Sequence, residues 1–305
     1  MANPGALAGA FVTNSLGRTT YNALQMEVRR RFAGGLQAQA SYVYGHQFGT
    51  VTTSTTPTAL LTLRQPAFDV RQTGDPGDIT HALKVNLVYD LPFGEGRRFG
   101  SGANPVVNRI FSGWQVGVAS IFRTGELVDL GNVRLVGMTM RDVEKMFALR
   151  FDNVERHVFL LPPDVIDNTI LAFNTSPTSP TGYAGAAPTG RYFAPANGPE
   201  CIEVDSAARY GDCAGRSLVV TGPMFRQTGI LLSKRTKLAG RVAFEVGANI
   251  LNVFNQPNFL PVGHVGTATS IASSSATNTL SNYDVTQLAG TNTSRLIELM
   301  MRLDW

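Results

Sequence analysis

The chain has 305 residues, 43% of them apolar and only 16% charged, with 31 Gly, 17 Phe, 8 Tyr and 2 Trp. Disordered chains are polar and highly charged and coiled coils are charge-rich, so this composition excludes both. The net charge of +4 is spread over basic residues scattered among 22 acids, which does not point to a nucleic-acid partner.

No stretch approaches the ~18 consecutive apolar residues of a membrane-crossing helix. The start, MANPGALAGAFVTNSLGRTT, lacks a basic region followed by a long apolar one and does not read as a secretory signal. Two readings remain open, a cytosolic protein or the later part of a longer exported chain.

Period-two alternation in long segments is the main signal. In residues 20–32, Leu24, Met26, Val28 and Phe32 oppose Gln25, Glu27, Arg29 and Arg31, with Arg30 an exception on the apolar row near the segment's end. Ala33-Gly34-Gly35 reads as a hairpin turn into a second strand, in which Leu36, Ala38, Ala40, Tyr42 and Tyr44 alternate with Gln37, Gln39 and Ser41. A third segment sets Leu83, Val85, Leu87, Tyr89 and Leu91 against Lys84, Asn86 and Asp90. A fourth sets Trp114, Val116, Val118 and Phe122 against Gln115, Gly117, Ala119 and Arg123. Residues 93–112, between these two, are rich in Gly and Arg without a long apolar run.

The fifth segment, residues 221–238, is the least regular, though Thr228, Ile230 and Leu232 oppose Gly229 and Ser233. It turns at Ala239-Gly240 into a sixth, where Val242, Phe244, Val246 and Ile250 oppose Glu245, Gly247 and Asn249. The chain ends with Ile297, Leu299, Met301, Leu303 and Trp305 opposite Glu298, Arg302 and Asp304, and Met300 breaks the polar row. Such strands exceed the ~5–6 residues usual in soluble sheets and suit tilted transmembrane strands.

The connections support that reading. Residues 33–35 and 239–240 are tight turns, whereas 48–77, 127–220 and 256–292 are long and rich in Thr, Ser, Gly, Asn and Pro. Outer-membrane barrels have short periplasmic turns and long extracellular loops. Within the longest connection, MTMRDVEKMFALRF predicts a short helix capped by Thr139 with Asp142 in its first turn. PPDVIDNTILAF predicts a second, with Pro163 in the first turn and Ile166, Ile170 and Phe173 on one side. The stretch after it, SPTSPTGYAGAAPTGRYFAPANGPE, breaks all periodicity.

Cys201 and Cys213 bracket a Gly-, Asp- and Ser-containing loop with no His beside them, too few thiols for a zinc site. A loop-closing disulfide is expected over two free thiols, and if it forms the compartment is oxidising. GEGRRFG at 94–100 has Phe99 where a phosphate-binding loop needs its third Gly, and no helix pattern comes after it. His46, His81, His157 and His264 are isolated in sequence, and His46 and His81 are expected at strand ends facing polar surroundings. Arg29-Arg30-Arg31 reads as a strand reaching a membrane boundary. No cofactor, metal site or catalytic set is expected, and nothing supports an enzyme.

TTYNALQMEVRRRFAGGLQAQASYVYGH, HALKVNLVYDLPFGEGRRF, FSGWQVGVASIFRTG, GRVAFEVGANILNVFNQPNF and the terminal aromatic strand together resemble the C-terminal barrel of TonB-dependent outer-membrane receptors, nearest the Oar-like branch. RLVGMTMRDVEKMFALRF and NTILAFNTSPTSPTGYAGAAPTGRYFAPANGPECIE resemble an insertion of that group. The resemblance implies an export signal, a plug with a TonB-contacting box and a barrel of about 22 strands, of which this sequence looks like the last third.

The expected fold is therefore all-β: an antiparallel transmembrane barrel segment of about seven long strands over 1–305, incomplete as a barrel. An extracellular insertion over about 127–220 carries two short helices. The expected location is the bacterial outer membrane, with apolar rows on lipid and Gln25, Glu27, Gln37, Gln39, Lys84, Asn86, Glu245 and Asn249 facing the lumen. The resemblance implies that Ile297, Leu299, Met301, Leu303 and Trp305 form the signal read by the outer-membrane assembly machinery, although Phe is the usual last residue. The implied partners are membrane lipid, that machinery, the missing N-terminal strands and plug, and TonB only through the plug. The expected function is uptake of a scarce ligand, by a portion not competent for transport alone. The rival readings are a transport-inactive surface or adhesion protein and a soluble secreted all-β binding module.

Overall fold

Two glycine turns organise the strands. At the first, Gly34 and Gly35 take φ of 62° and 81°, conformations that L side chains resist. Gly35 is needed a second time for space, because a Cβ there would sit 3.2 Å from the Asp90 carbonyl oxygen. The turn joins β1 (Thr19–Ala33) to β2 (Leu36–Gly49). The second turn, at Gly240, joins β11 (Phe225–Ala239) to β12 (Val242–Leu251). Both hairpins carry a register shift just before the turn, between Arg30 and Ala33 and between Lys237 and Ala239. Arg30, the exception in its apolar row, turns its guanidinium back and donates to the Ala33 carbonyl at 3.2 Å.

The computed structural model of the protein describes residues 19–49, 70–71, 78–94, 97–100, 102, 104–152, 154, 157–195, 217–259, 283 and 294–305. The remaining strands of the main sheet are β3 (Val70–Arg71), β4 (His81–Asp90), β5 (Trp114–Arg123) and β13 (Leu296–Asp304). They form one antiparallel sheet in the order β1-β2-β4-β5-β11-β12-β13, with the two-residue β3 paired to β2. The seven expected segments are its seven long strands. Four of them run only nine or ten residues, because backbone pairing stops earlier than the alternation does. The sheet is not closed among the described residues: β1 and β13 are its two ends.

Between β5 and β11 lies a body of different construction. β6 (Leu127–Val136) continues from β5 and is the centre of a small sheet, flanked by β10 (Ser217–Thr221) and β9 (Tyr192–Pro195). β7 (Arg150–Asp152) and β8 (His157–Phe159) form a hairpin. The two expected helices are present: α2 (Met140–Met146) and α3 (Pro163–Phe173). Thr139 and Asp142 close a reciprocal capping box on α2, and a proline occupies the first turn of α3 as expected. Leu130, Val143, Ile166, Phe173 and Phe193 pack into a shared core, with Ile170 against its edge. The Thr169 hydroxyl, buried on α3, donates to the Val165 carbonyl at 2.6 Å and accepts from the Phe193 amide at 3.1 Å, pinning helix to strand.

Three features depart from expectation. A third helix, α1 (Pro105–Phe111), lies outside the insertion, in the stretch that reads only as rich in Gly and Arg without a long apolar run. It also means that a helix does come after the Gly-rich 94–100 segment; at seven residues, with its own Asn104 as cap, it gives no phosphate site. The aperiodic proline-rich stretch contains β9, and the insertion is a packed α/β unit rather than two helices in loop: four of its strands run only three to five residues, too short to leave a period, and the ten-residue β6 is likewise not among the expected strands.

Candidate functional site

Strand register decides what each face of the main sheet presents. Along the even-numbered positions of β1 and β2, Leu24 faces Tyr44, Met26 faces Tyr42 and Val28 faces Ala40. Across the next pairs Val85 meets Ala40, Leu87 meets Val118, Val118 meets Ile230, Ile230 meets Ile250, and Ile250 meets Ile297. Every apolar row identified in the sequence thus lands on one face. Two hydroxyls on that face satisfy each other: the Ser120 hydroxyl donates to that of Thr228 at 3.1 Å, and both residues are buried by their neighbours.

Large apolar side chains on this face stand open. Val28 is 72% exposed, Leu299 79% and Met301 77%. Rings occur at two levels, Tyr89, Trp114, Phe244 and Trp305 near the hairpin end and Tyr42, Tyr44, Phe48 and Phe122 near the other. From Phe122 to Trp114 is eight residue steps, roughly 27 Å along the strand, and a tilt of about 40° makes that roughly 20 Å along a membrane normal.

The opposite face collects all eight polar residues singled out from sequence. Gln39 faces both Arg29 and Asn86, Glu27 and Lys84 flank Ser41, and Glu245 lies between Arg235 and Arg302. The Gln39 amide donates to Glu27 at 3.1 Å, Arg29 pairs with Glu27 at 3.0 Å, and the Asn249 amide donates to Glu298 at 3.0 Å. Gln25 and Gln37 are on the same face, opposite Val43 and Val88. Met300, which interrupts the polar row, faces Gly247 directly; the missing side chain leaves room for the thioether to lie flat.

At the hairpin end this face opens into a cleft of about 360 Å³ lined by Asp90, Arg97, Gln115, Ser233, Arg235 and Glu245. The Gln115 amide donates to Asp90 at 2.8 Å, Arg97 is 3.5 Å from the same carboxylate, and Arg235 and Arg302 converge on Asp304 at 3.2 and 2.6 Å. These groups can hold water or a polar solute through alternating donors and acceptors.

At the far end two of the four histidines read as isolated, His46 and His81, come together around Tyr44. His46 Nδ1 lies 3.2 Å from the buried Asp78 carboxylate, and the Tyr42 hydroxyl and His81 Nδ1 share a hydrogen bond of 2.8 Å. Tyr44 stands between the two imidazoles, 5.4 and 5.2 Å from their ring centres. Their surroundings are therefore aromatic as well as polar, a result of β2 and β4 pairing Tyr44 with His81. Among the described residues, no three His, Cys, Asp or Glu side chains cluster tightly enough for a metal.

The insertion meets the sheet at this end. The Gly222 amide donates to the Glu126 carbonyl at 2.8 Å, Arg123 pairs with Glu126 at 3.0 Å and lies over Phe225, and Asn258 exchanges two hydrogen bonds with the Arg226 backbone. A small cavity of about 30 Å³ between Arg123, Leu149, Met224 and Phe259 marks the joint. On the insertion's surface Arg191 grips Asp164 through two hydrogen bonds, 2.8 and 3.2 Å, holding that carboxyl below its ordinary range. Asp142 is likewise lowered, chiefly by the Thr139 hydroxyl. Burial lowers the Arg150 guanidinium, which donates to the Ala148 and Leu160 carbonyls at 2.9 Å each.

The terminal residues Ile297, Leu299, Met301 and Leu303 are exposed on the apolar face of the edge strand β13, and Trp305 is exposed just beyond it. Cys201, Cys213 and His264 lie outside the described residues. Sequence reasoning missed α1, although Asn104-Pro105 is a legible start: Asn104 Oδ1 accepts from the Val107 amide at 2.9 Å, with a proline in the first turn.

Residues 4–294 match the family model described as an outer membrane beta barrel domain. No curated protein and no solved structure matches the chain.

Proposed function

The chain belongs to the outer membrane beta barrel domain family, and from that premise we propose that it is the C-terminal barrel portion of a TonB-dependent receptor of the Oar-like branch, serving uptake of a scarce ligand without chemistry of its own. Membership places the protein in the bacterial outer membrane and sets aside the soluble secreted module. In this reading the apolar face lies on lipid and Gln25, Glu27, Gln37, Gln39, Lys84, Asn86, Glu245 and Asn249 border the aqueous lumen. The hairpin end is periplasmic and the insertion extracellular.

The observation that carries the receptor reading is the direction of the two end strands. Neighbours alternate along the seven-strand order, so β1 and β13 both run toward the hairpin end. Sealing one to the other would force a parallel pair into an antiparallel sheet. A second copy rotated about the membrane normal would present β1 in that same unsuitable direction. An unsealed edge in hydrocarbon costs several kcal/mol for each unpaired backbone group. An odd number of further strands restores the alternation, as the rest of a larger even-stranded barrel does. Ligand contacts then come chiefly from the 127–220 insertion, and the apolar terminal strand offers its edge to the assembly machinery by β-augmentation.

One observation favours a surface-binding role instead: the insertion has a core of its own and presents a built surface rather than a loose loop. Receptor and adhesin differ in the plug. Reading the frame upstream of Met1 should reveal further barrel strands, a plug and a TonB-contacting segment. An export signal joined directly to this sequence would overturn the receptor reading. The whole product should migrate faster in gels before heating than after, as closed membrane barrels do.

A further inference from the structure

The segment between β4 and β5 sits at the hairpin end of the sheet, yet it is not a tight turn. It contains α1, none of whose seven residues is buried. A helix this short, with no buried face, does not hold in water on its own. Around its axis, at 100° per residue, Val106, Ile110, Val107 and Phe111 fill one continuous arc, and Pro105, Asn108 and Arg109 occupy the other side. The apolar arc is open, with Val106 69% and Phe111 57% exposed.

The helix is tied to the rim of the sheet's apolar face. Trp114 and Lys234 are cross-strand partners there, and both reach the end of α1. The Trp114 indole donates to the Ile110 carbonyl at 3.0 Å. The Lys234 ammonium donates to the Ile110 and Ser112 carbonyls at 2.9 and 2.6 Å and lies 5.4 Å from the Trp114 ring centre. Gly113 makes the close approach possible: its φ is 74°, and a Cβ would run into the Arg235 carbonyl oxygen. The end of the helix is thus fastened to the sheet at Trp114, in the row of rings near the hairpin end. Arg98 lies over Phe99, whose ring meets that of Phe93 at a tilt, 5.9 Å between centres, and Arg109 is in the last turn of α1.

We propose that α1 is an interfacial helix lying in the leaflet on the hairpin side, with Val106, Val107, Ile110 and Phe111 sunk to the level of the acyl chains. Arg98, Arg109 and Lys234 stand at the phosphates. An apolar arc rimmed by cations and an interfacial tryptophan matches the chemistry of an anionic phospholipid surface. The helix thereby fixes the depth of β4 and β5 at the one described hairpin-side connection that lacks a tight turn. The inference rests on the reading of the apolar face as lipid-facing, and its test separates the two.

Nitroxide labels would be placed by Val107→Cys, Phe111→Cys, Arg109→Cys and, as reference on the sheet, Val85→Cys, each in a Cys201→Ser, Cys213→Ser background. The full membrane protein is reconstituted in phosphatidylethanolamine vesicles containing a minority of phosphatidylglycerol. Power-saturation EPR then compares accessibility to oxygen and to a water-soluble nickel chelate. The expected result is an oxygen-to-nickel ratio several-fold higher at 107 and 111 than at 109, with 85 deeper still. Equal nickel access at 107 and 109, with 85 still oxygen-rich, would place the helix in water and overturn the proposal alone. Exclusion of both reagents at 107 and 111 would mean a protein cover, either another segment or a second copy, and would overturn it too. Exclusion of oxygen at 85 would bring down the lipid-facing reading beneath it.

Discussion

The main sheet and the insertion handle apolar side chains in opposite ways. Among the described residues, every buried apolar side chain other than Ala243 and Tyr283 lies between Leu127 and Val220. The seven long strands, which carry the sharpest apolar rows in the sequence, leave Leu24, Val28, Leu299 and Met301 open. In water such a face would be expelled into a core. The insertion does this, with Val143, Val165, Ile166 and Phe193 almost fully enclosed. The sheet does not, and the proposed reading accounts for it: hydrocarbon takes the part that a protein core plays elsewhere. On that reading the same residue types report two solvents within one chain.

Breaking the insertion's core should have the largest effect. Phe193→Ala removes a fully buried ring and should cost the insertion about 3–5 kcal/mol. Hydrogen exchange over 157–195 in the intact membrane protein should accelerate, while heat-modifiable migration of the barrel stays unchanged. The converse exchange on the sheet comes next. Val85→Lys places a charge at mid-strand on the apolar face and should cost about 2–4 kcal/mol if that face meets lipid. Asn86→Lys, one residue on and on the polar face, should cost far less; equal losses in denaturant unfolding would remove the distinction between faces.

Smaller effects sharpen the picture of the insertion as a water-folded unit. Thr139→Ala deletes the hydroxyl of the α2 capping box and should cost about 1 kcal/mol, seen as faster exchange of the Asp142 and Val143 amides. The acid response should be smaller still. Asp142 and Asp164 are both held below the ordinary carboxylate value. Their contribution is complete above the unfolded value of about 3.9 and is lost as pH falls through the lower folded values. Asp164 is half-exposed, so solvent screening keeps its share slight. Arg191→Gln should lower insertion protection at neutral pH, and its difference from the unaltered protein should vanish at low pH.

Much of the sheet was legible residue by residue. The row Leu83, Val85, Leu87, Tyr89 predicts a strand face without knowledge of any neighbour, and so does the opposite row that carries Lys84 and Asn86. The two glycine turns were legible because positive φ leaves a chemical signature. The insertion was legible only where local chemistry is strong, at Thr139 with Asp142 and at Pro163. β9 was hidden because Tyr192–Pro195 is too short to show a period. The His46–Tyr44–His81 cluster was hidden because its members lie on two strands and meet only through their register.

By itself the sequence determined the seven long strands, their two faces and the tight turns. Those arise from the pleat of the backbone, which sends alternate side chains to opposite sides whatever surrounds them. Only the tertiary structure decided that all the apolar rows share one face, that the insertion encloses a core between Val128 and Val220, and that α1 is fastened to Trp114 and Lys234. These depend on which distant segments pair, and no period within a single segment encodes that choice.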